Sequence, residues 1–149
     1  LPARQREVLL EEIKNSARAI SLGTVEANMI DELGINAAVQ LAMVTAVKGL
    51  PSIPDAVLVD SVHLPSDCGF ADSSISMNHA DRRCLSVASA SIYAKVMRDN
   101  YMRDCARNYP GYYFETNSGY GTMAHRKALT KMGPCPEHRL SFSPLRQGK

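Results

Sequence analysis

Helices alternating with short apolar strands predict an α/β domain. Three stretches carry that prediction. "AVLVD" (residues 56–60) is an unbroken apolar run ending in an acid, the pattern of a strand buried on both faces. "SSISM" (residues 73–77) is a second strand candidate inside an otherwise irregular, Ser-, Asp-, Gly- and Pro-rich connection from Ser61 to Ala80. "CLSVASASIYAKVMRDNYMRDCARNY" holds the longest helical candidate, roughly Leu85 to Arg107, stopped by Pro110 and Gly111.

The other elements follow in order. From Ala3 to about Arg18, Val8, Leu9, Ile13 and Ala17 recur at helical spacing, and Pro2 suits a helix start. In "AISLGTVEANMID", Ile20, Leu22 and Val25 predict a short strand broken at Gly23. Asn36 is read as the cap of a second helix with Val39, Met43 and Val47 on one face, ended by Gly49. Thr122 caps a last helix, which Gly133 and Pro134 terminate. Small residues (Ser86, Ala88, Ser89, Ala90, Ser91, Ala94) line the first half of the long helix and permit a close neighbour. There are no internal repeats, so residues 1–149 are read as one domain.

Composition narrows the class. The chain is 45% hydrophobic and 21% charged, as in a globular protein. No apolar run approaches the ~20 residues that span a bilayer. The start is charged and amphipathic rather than a signal peptide. Cys68, Cys84, Cys105 and Cys135 match no zinc spacing and are read as reduced thiols of a cytosolic protein. The net charge is only +2, yet from Met123 onward Arg126, Lys127, Lys131, Arg139, Arg146 and Lys149 face a single acid, Glu137. Such a basic end, from about residue 119, permits a polyanionic partner; the alternative is a solvated tail.

Candidate chemistry rests on carboxylates and one loop. Asp60 ends a buried strand, where catalytic groups of α/β sheets collect. Asp81 precedes the long helix, where the helix N-terminus also favours an acid. Asp99 lies inside that helix, within reach of Lys95, Arg98 and Arg103 as ion-pair partners. Acids converging from a strand end and a helix start could hold Mg²⁺, and two such ions about 3.5–4 Å apart activate water in phosphodiester cleavage. Tyr120 stands between Gly119 and Gly121 just ahead of the last helix. The glycines permit close approach and the ring offers a flat apolar face with a polar tip; the alternative is a core tyrosine in a tight turn. His125 is expected to cap its helix or contact phosphate. His138 and Arg139 either contact a nucleic-acid backbone or lock the tail. His63 is read as loop surface, Glu7, Glu11 and Glu12 as solvated charges, and Met29, Met43 and Met102 as core filler.

With these stretches placed, the chain resembles the ribonuclease HII family, the type 2 ribonucleases H, over nearly its whole length. "VLVDS" resembles the family's strand ending in V-D-G. "HADRRCLSVASASIYAKVMRD" resembles K-G-D-x-K-S-x-S-I-A-A-A-S-I-x-A-K-V-x-R-D. "YPGYYFETNSGYGTMAH" resembles Y-P-x-Y-x-F-x-x-H-K-G-Y-G-T-x-x-H, and "MGPCPEHRLSF" resembles G-P-S-P-x-H-R-x-S-F. The resemblance implies a ribonuclease H-like fold, a mixed sheet flanked by helices. It implies an endonuclease that cuts the RNA strand of RNA–DNA hybrids and incises at ribonucleotides embedded in duplex DNA, using Mg²⁺ or Mn²⁺. The same resemblance makes Asp60 and Asp81 the metal-binding catalytic acids and gives Ser91, Lys95 and Asp99 a supporting role. Gly119, Tyr120, Gly121, His138 and Arg139 become the substrate contacts, with Tyr120 packed on the deoxyribose at the RNA–DNA junction. A cytoplasmic monomer is expected.

The departures matter as much. The family's opening strand carries D-E-x-G-R-G, with two further metal acids, and no such motif occurs here. The expectation is that this motif and its strands would precede Leu1, and that a chain lacking them is weakly active or inactive alone. The alternative function is therefore a non-catalytic nucleic-acid-binding remnant. Ser61 replaces the glycine after the strand acid, His79 and Ala80 replace K-G before Asp81, and Thr116, Asn117 and Ser118 stand where the family is more basic, which weakens phosphate contacts.

Overall fold

The computed structural model describes residues 1–145, so Arg146 and Lys149 of the basic tail lie outside the described residues. Helices α1 (Ala3–Ser16), α2 (Ala27–Leu33) and α3 (Ile35–Lys48) come first. Strands β1 (Val57–Asp60) and β2 (Ser74–Met77) follow, then α4 (Leu85–Asn108), α5 (Phe114–Asn117) and α6 (Met123–Met132). Single 3₁₀ turns at Ala71–Ser73 and Ala80–Arg82 flank β2. The chain divides into two compact units. One comprises Leu1–Val25 and Ile35–Val96; the other comprises Glu26–Gly34 and the chain from Met97 onward.

The first unit is built on β1. Its residues pair in parallel with β2, Val57 opposite Ser74 and Asp60 opposite Met77. Val59 turns inward with Leu64, Cys68 and Phe70 of the β1–β2 connection, and Met43, Val44 and Val47 of α3 cover them. The α/β class therefore holds. The mixed sheet does not: among the described residues there is one sheet of two strands, which admits one pairing, and the irregular connection returns β2 parallel to β1. That connection buries its own Leu64, Cys68 and Phe70, so it substitutes for the crossover helix that parallel pairs usually need.

Three other expectations change. Residues 18–26 form no strand. They run extended against α3, so closely that a Cβ on Gly23 would lie 1.8 Å from the Ala42 carbonyl oxygen. Gly23 lies against a helix, not beside a sheet partner. Helix α2 was not foreseen, and it ends at Gly34, which takes φ 78°. Because α3 restarts at once, Asn36 lies inside it rather than capping it. In α1 the buried residue is Leu10, while Val8 is 60% exposed. The long helix, Gly49, Pro110, Thr122 and Gly133 punctuate the chain where expected.

The second unit packs the C-terminal half of α4 against α6. Met102 and Cys105 of α4, Tyr112 and Phe114 of the intervening segment, and Ala128 and Leu129 of α6 form its core. All four cysteines are free thiols. Among the described residues no helix is long and apolar enough to cross a membrane.

Gly23→Ala should cost the first unit about 2–3 kcal/mol or more, because the added methyl meets rigid backbone. Chemical denaturation of the two forms measures this; an unchanged midpoint would contradict the close approach to α3.

Candidate functional site

Two sets of residues carry the chemistry, one in each unit. In the first, Asp60 closes β1 and the chain leaves the sheet through Ser61 in the left-handed region, φ 56°. The Ser61 amide still donates to the Met77 carbonyl at 3.2 Å, so the ladder extends one step past the strand. β2 leaves through His79, also left-handed at φ 55°. Those two turns bring the 3₁₀ turn Ala80–Arg82 back to the end of β1. The Ala80 amide donates to Asp60 Oδ1 at 3.2 Å, and the Ser61 hydroxyl donates to the same oxygen at 3.0 Å. Ala80 is fully buried, whereas Asp81, the next residue, is exposed. The backbone thus brings Asp60 and Asp81 together at one end of the sheet.

Two carboxylates are hard oxygen donors of the kind a divalent cation takes. Among the described residues no group of three or more His, Cys, Asp or Glu side chains forms a complete metal site. The residues present fit a divalent ion in part, as two of the several oxygens it requires. On α4, Ser91 and Lys95 are one helical turn apart and share a face; Ser91 is exposed and Lys95 half-buried.

The second set surrounds Tyr120. Tyr113, at φ 60°, opens the short α5, and the chain then passes through two left-handed residues, Ser118 at φ 48° and Gly119 at φ 81°. A Cβ on Gly119 would meet the flexible ends of Arg98 at 3.1 Å and Met102 at 3.2 Å, which could give way, so it is the left-handed conformation that calls for glycine. Gly121 differs: an added Cβ would make only ordinary contact with the Arg126 side chain. Asp99 Oδ1 accepts from the Ser118 hydroxyl at 3.1 Å, and Arg98 donates to the Ser118 carbonyl at 3.3 Å. Asp99 thus supports the Gly-Tyr-Gly loop. Tyr120 itself is 64% exposed, unlike a core tyrosine.

Below the loop lies a stack of rings. Tyr112 and Phe114 stack at 5.5 Å, and His125 and His138 at 5.2 Å. His125 is buried, with Nδ1 2.9 Å from the Tyr112 carbonyl oxygen, while its amide donates to the capping Thr122 hydroxyl. His125 is therefore a frame residue within a capped helix, not a phosphate contact. His138 Nδ1 accepts the Cys135 amide proton at 3.0 Å. Its Nε2 is buried and has no hydrogen-bond partner among the described residues. Burial pulls the His138 imidazole below its ordinary pKa. The ring faces inward and locks the tail.

Arg139 follows, its guanidinium 4.0 Å over the Phe142 ring. Burial and then the nearby Arg98 charge pull it below its ordinary value, and Asp31 opposes them. The tail is tied on both sides of Arg139. Tyr101 of α4 donates to Glu137 at 2.6 Å; Asp31 of α2 accepts the Leu140 amide at 2.7 Å and the Ser141 amide at 2.9 Å. Burial alone would raise the Asp31 pKa, but the Ser141 hydroxyl, these amides and Arg139 together hold it below the ordinary value.

Sequence reasoning missed Asn117, Arg98 and Asp31. At Asn117 the sequence marks only a position where the family is more basic, although Asn before Ser-Gly is itself a turn signal. Arg98 was read as an ion-pair partner within α4. No local signal ties Asp31 to a segment more than a hundred residues away.

Comparison with known proteins gives this arrangement a family. The family model described as Ribonuclease HII matches residues 1–144. The chain belongs to the ribonuclease HII family. Among its relatives, Ribonuclease HII of Listeria innocua serovar 6a is 41% identical over 145 residues, covering 97% of this chain and 54% of that protein. Ribonuclease HII of Roseiflexus castenholzii is 44% identical, covering 97% of this chain and 63% of its own length. The chain thus spans between about half and two thirds of the length of these relatives. The crystal structure of the ribonuclease H2 from Pyrococcus horikoshii OT3 superposes with a TM-score of 0.78 at 24% identity, covering 98% of this chain and 75% of that one. That likeness supports the ribonuclease H-like fold.

Two results are expected. Gly119→Ala should lower stability by about 1–2 kcal/mol, through its left-handed backbone, while Gly121→Ala should stay within about 0.5 kcal/mol; equal effects on melting would contradict the geometry. The tail should loosen in two steps on acidification. The burial of neutral His138 contributes fully above its ordinary pKa of 6.5 and is lost as pH falls through its lower folded value. The Asp31 contribution persists to lower pH and is lost below 3.8. Amide exchange should therefore rise at Cys135 before Leu140 and Ser141; the reverse order would contradict these ties.

Proposed function

We propose that this chain carries part of the catalytic centre and part of the substrate-binding face of a type 2 ribonuclease H, an endonuclease that hydrolyses the RNA strand of RNA–DNA hybrids and incises at ribonucleotides embedded in duplex DNA. The observation that carries the reading is the Ala80 amide bonded to the Asp60 carboxylate, which sets Asp81 beside the end of β1. Asp60 and Asp81 would hold the divalent ion, Mg²⁺ or Mn²⁺. When bound, that ion supplies the positive charge that makes a water acidic and neutralises the scissile phosphate.

The chain's own residues do the rest. Ala80 and Ser61 each donate to Asp60 Oδ1, which fixes the carboxylate. Ser91 and Lys95 of α4 are assigned a supporting role toward the scissile region. Tyr120, with its exposed ring, packs on a deoxyribose, where the 2′-hydroxyl of a ribose would alter the fit. Gly119 and Gly121 allow the strand to approach. Arg139 contacts the backbone, and His138 holds that segment in place. Arg126, Lys127 and Lys131, exposed on α6, add sequence-independent attraction to phosphate. We place the protein in the cytoplasm as a monomer; four free thiols fit a reducing compartment.

A second reading, a nucleic-acid-binding module without cleavage, draws on the absence of a third metal-binding group beside Asp60 and Asp81 among the described residues. A labelled duplex containing one ribonucleotide separates the two. Mg²⁺- or Mn²⁺-dependent cleavage that Asp60→Asn abolishes is the expected result for the nuclease. Salt-dependent binding without cleavage, indifferent to Asp60→Asn, would favour the binding module.

A further inference from the structure

Asn117 is a buried polar side chain, 5% exposed, and both ends of its amide are used. Nδ2 donates to the Tyr112 carbonyl at 2.8 Å, and Oδ1 accepts the Gly119 amide at 2.8 Å. Its backbone carbonyl accepts the Tyr120 amide, also at 2.8 Å. The Tyr112 carbonyl is in addition the partner of His125 Nδ1, and the Tyr112 hydroxyl donates to the Gly133 carbonyl at 2.7 Å. The frame below the loop is therefore held at both ends of α6, and Asn117 ties the loop to it.

The consequence reaches Tyr120. Ser118 and Gly119 are consecutive left-handed residues, a reversal in which the Gly119 amide donates to Asn117 Oδ1. Without Oδ1 that part-buried donor would lose its partner. The reversal also sets where the Tyr120 backbone begins, and the Asn117 carbonyl holds the Tyr120 amide directly. We infer that Asn117 is a positioning residue, which fixes the pose of Tyr120 and thereby sharpens the choice of a ribonucleotide junction over plain duplex DNA. The inference rests on the role given to Tyr120 above.

The test uses the whole chain and two labelled duplexes, all-DNA and the same sequence with one ribonucleotide, with affinities read by fluorescence anisotropy. Wild type, Tyr120→Ala, Asn117→Ala and the double variant are compared, with melting curves and Gly119 amide exchange measured on each. Asn117→Ala should speed Gly119 exchange and reduce the junction preference about fivefold, as for a lost buried hydrogen bond. The double variant should lose no more than Tyr120→Ala alone. Faster Gly119 exchange with the preference intact would overturn the inference and leave the role of Tyr120 standing. A preference unaffected by Tyr120→Ala, or absent in the wild type, would overturn both. If Asn117→Ala fails to fold, Asn117→Asp replaces it. That variant keeps the acceptor for Gly119 and loses only the tie to the Tyr112 carbonyl, so slow Gly119 exchange with the preference kept is expected; a preference lost while Gly119 exchange stays slow would refute the role.

Discussion

One hydrogen bond organises the candidate catalytic end of this protein: the Ala80 amide to the Asp60 carboxylate. A four-residue strand cannot place a second acid by itself. The placement comes from two left-handed turns, at Ser61 and His79, one at the exit of each strand. Each costs an L-residue about 1–2 kcal/mol. Their partial compensation is visible: the Ser61 amide continues the ladder to Met77, the Ser61 hydroxyl binds Asp60, and Ala80 is sealed from solvent. Strain held by surrounding bonds is common where geometry serves function.

The second unit uses a different device. There a single backbone carbonyl, that of Tyr112, serves the amide of Asn117 and the ring of His125. Four rings, Tyr112, Phe114, His125 and His138, pack against one another beside this residue. The tail that bears Arg139 is bound on one side to α4 through Glu137 and on the other to α2 through Asp31. Exposed Tyr120 and the basic side chains near it are thus carried on a rigid support, which limits the entropy lost when a ligand orders them.

The strands and the long helix were legible because their signals are local: an unbroken apolar run at 57–59, and helical spacing closed by Pro110 and Gly111. Thr122 and Gly133 were legible as caps for the same reason. The strand expected near Leu22 failed because extended backbone against α3 and extended backbone in a sheet have the same apolar signature. Helix α5 went unseen because it starts and ends on left-handed Tyr113 and Ser118, and neither residue type announces that conformation. Asp60 and Asp81 could be named from their motifs, but nothing in sequence foretold the amide between them. The bond from Asp31 to the tail joins distant segments, and only folding reveals it.

Paramagnetic line broadening by Mn²⁺ tests the central claim most directly, because it needs no turnover. Backbone amides of the chain would be followed by NMR as Mn²⁺ is added, in wild type and Asp60→Asn. The account predicts that Ser61, Ala80 and Asp81 broaden first in the wild type, and that Asp60→Asn shifts this to much higher metal concentration. Broadening that starts elsewhere, or that is the same in both proteins, would contradict the assignment of Asp60 and Asp81 as one divalent-metal site.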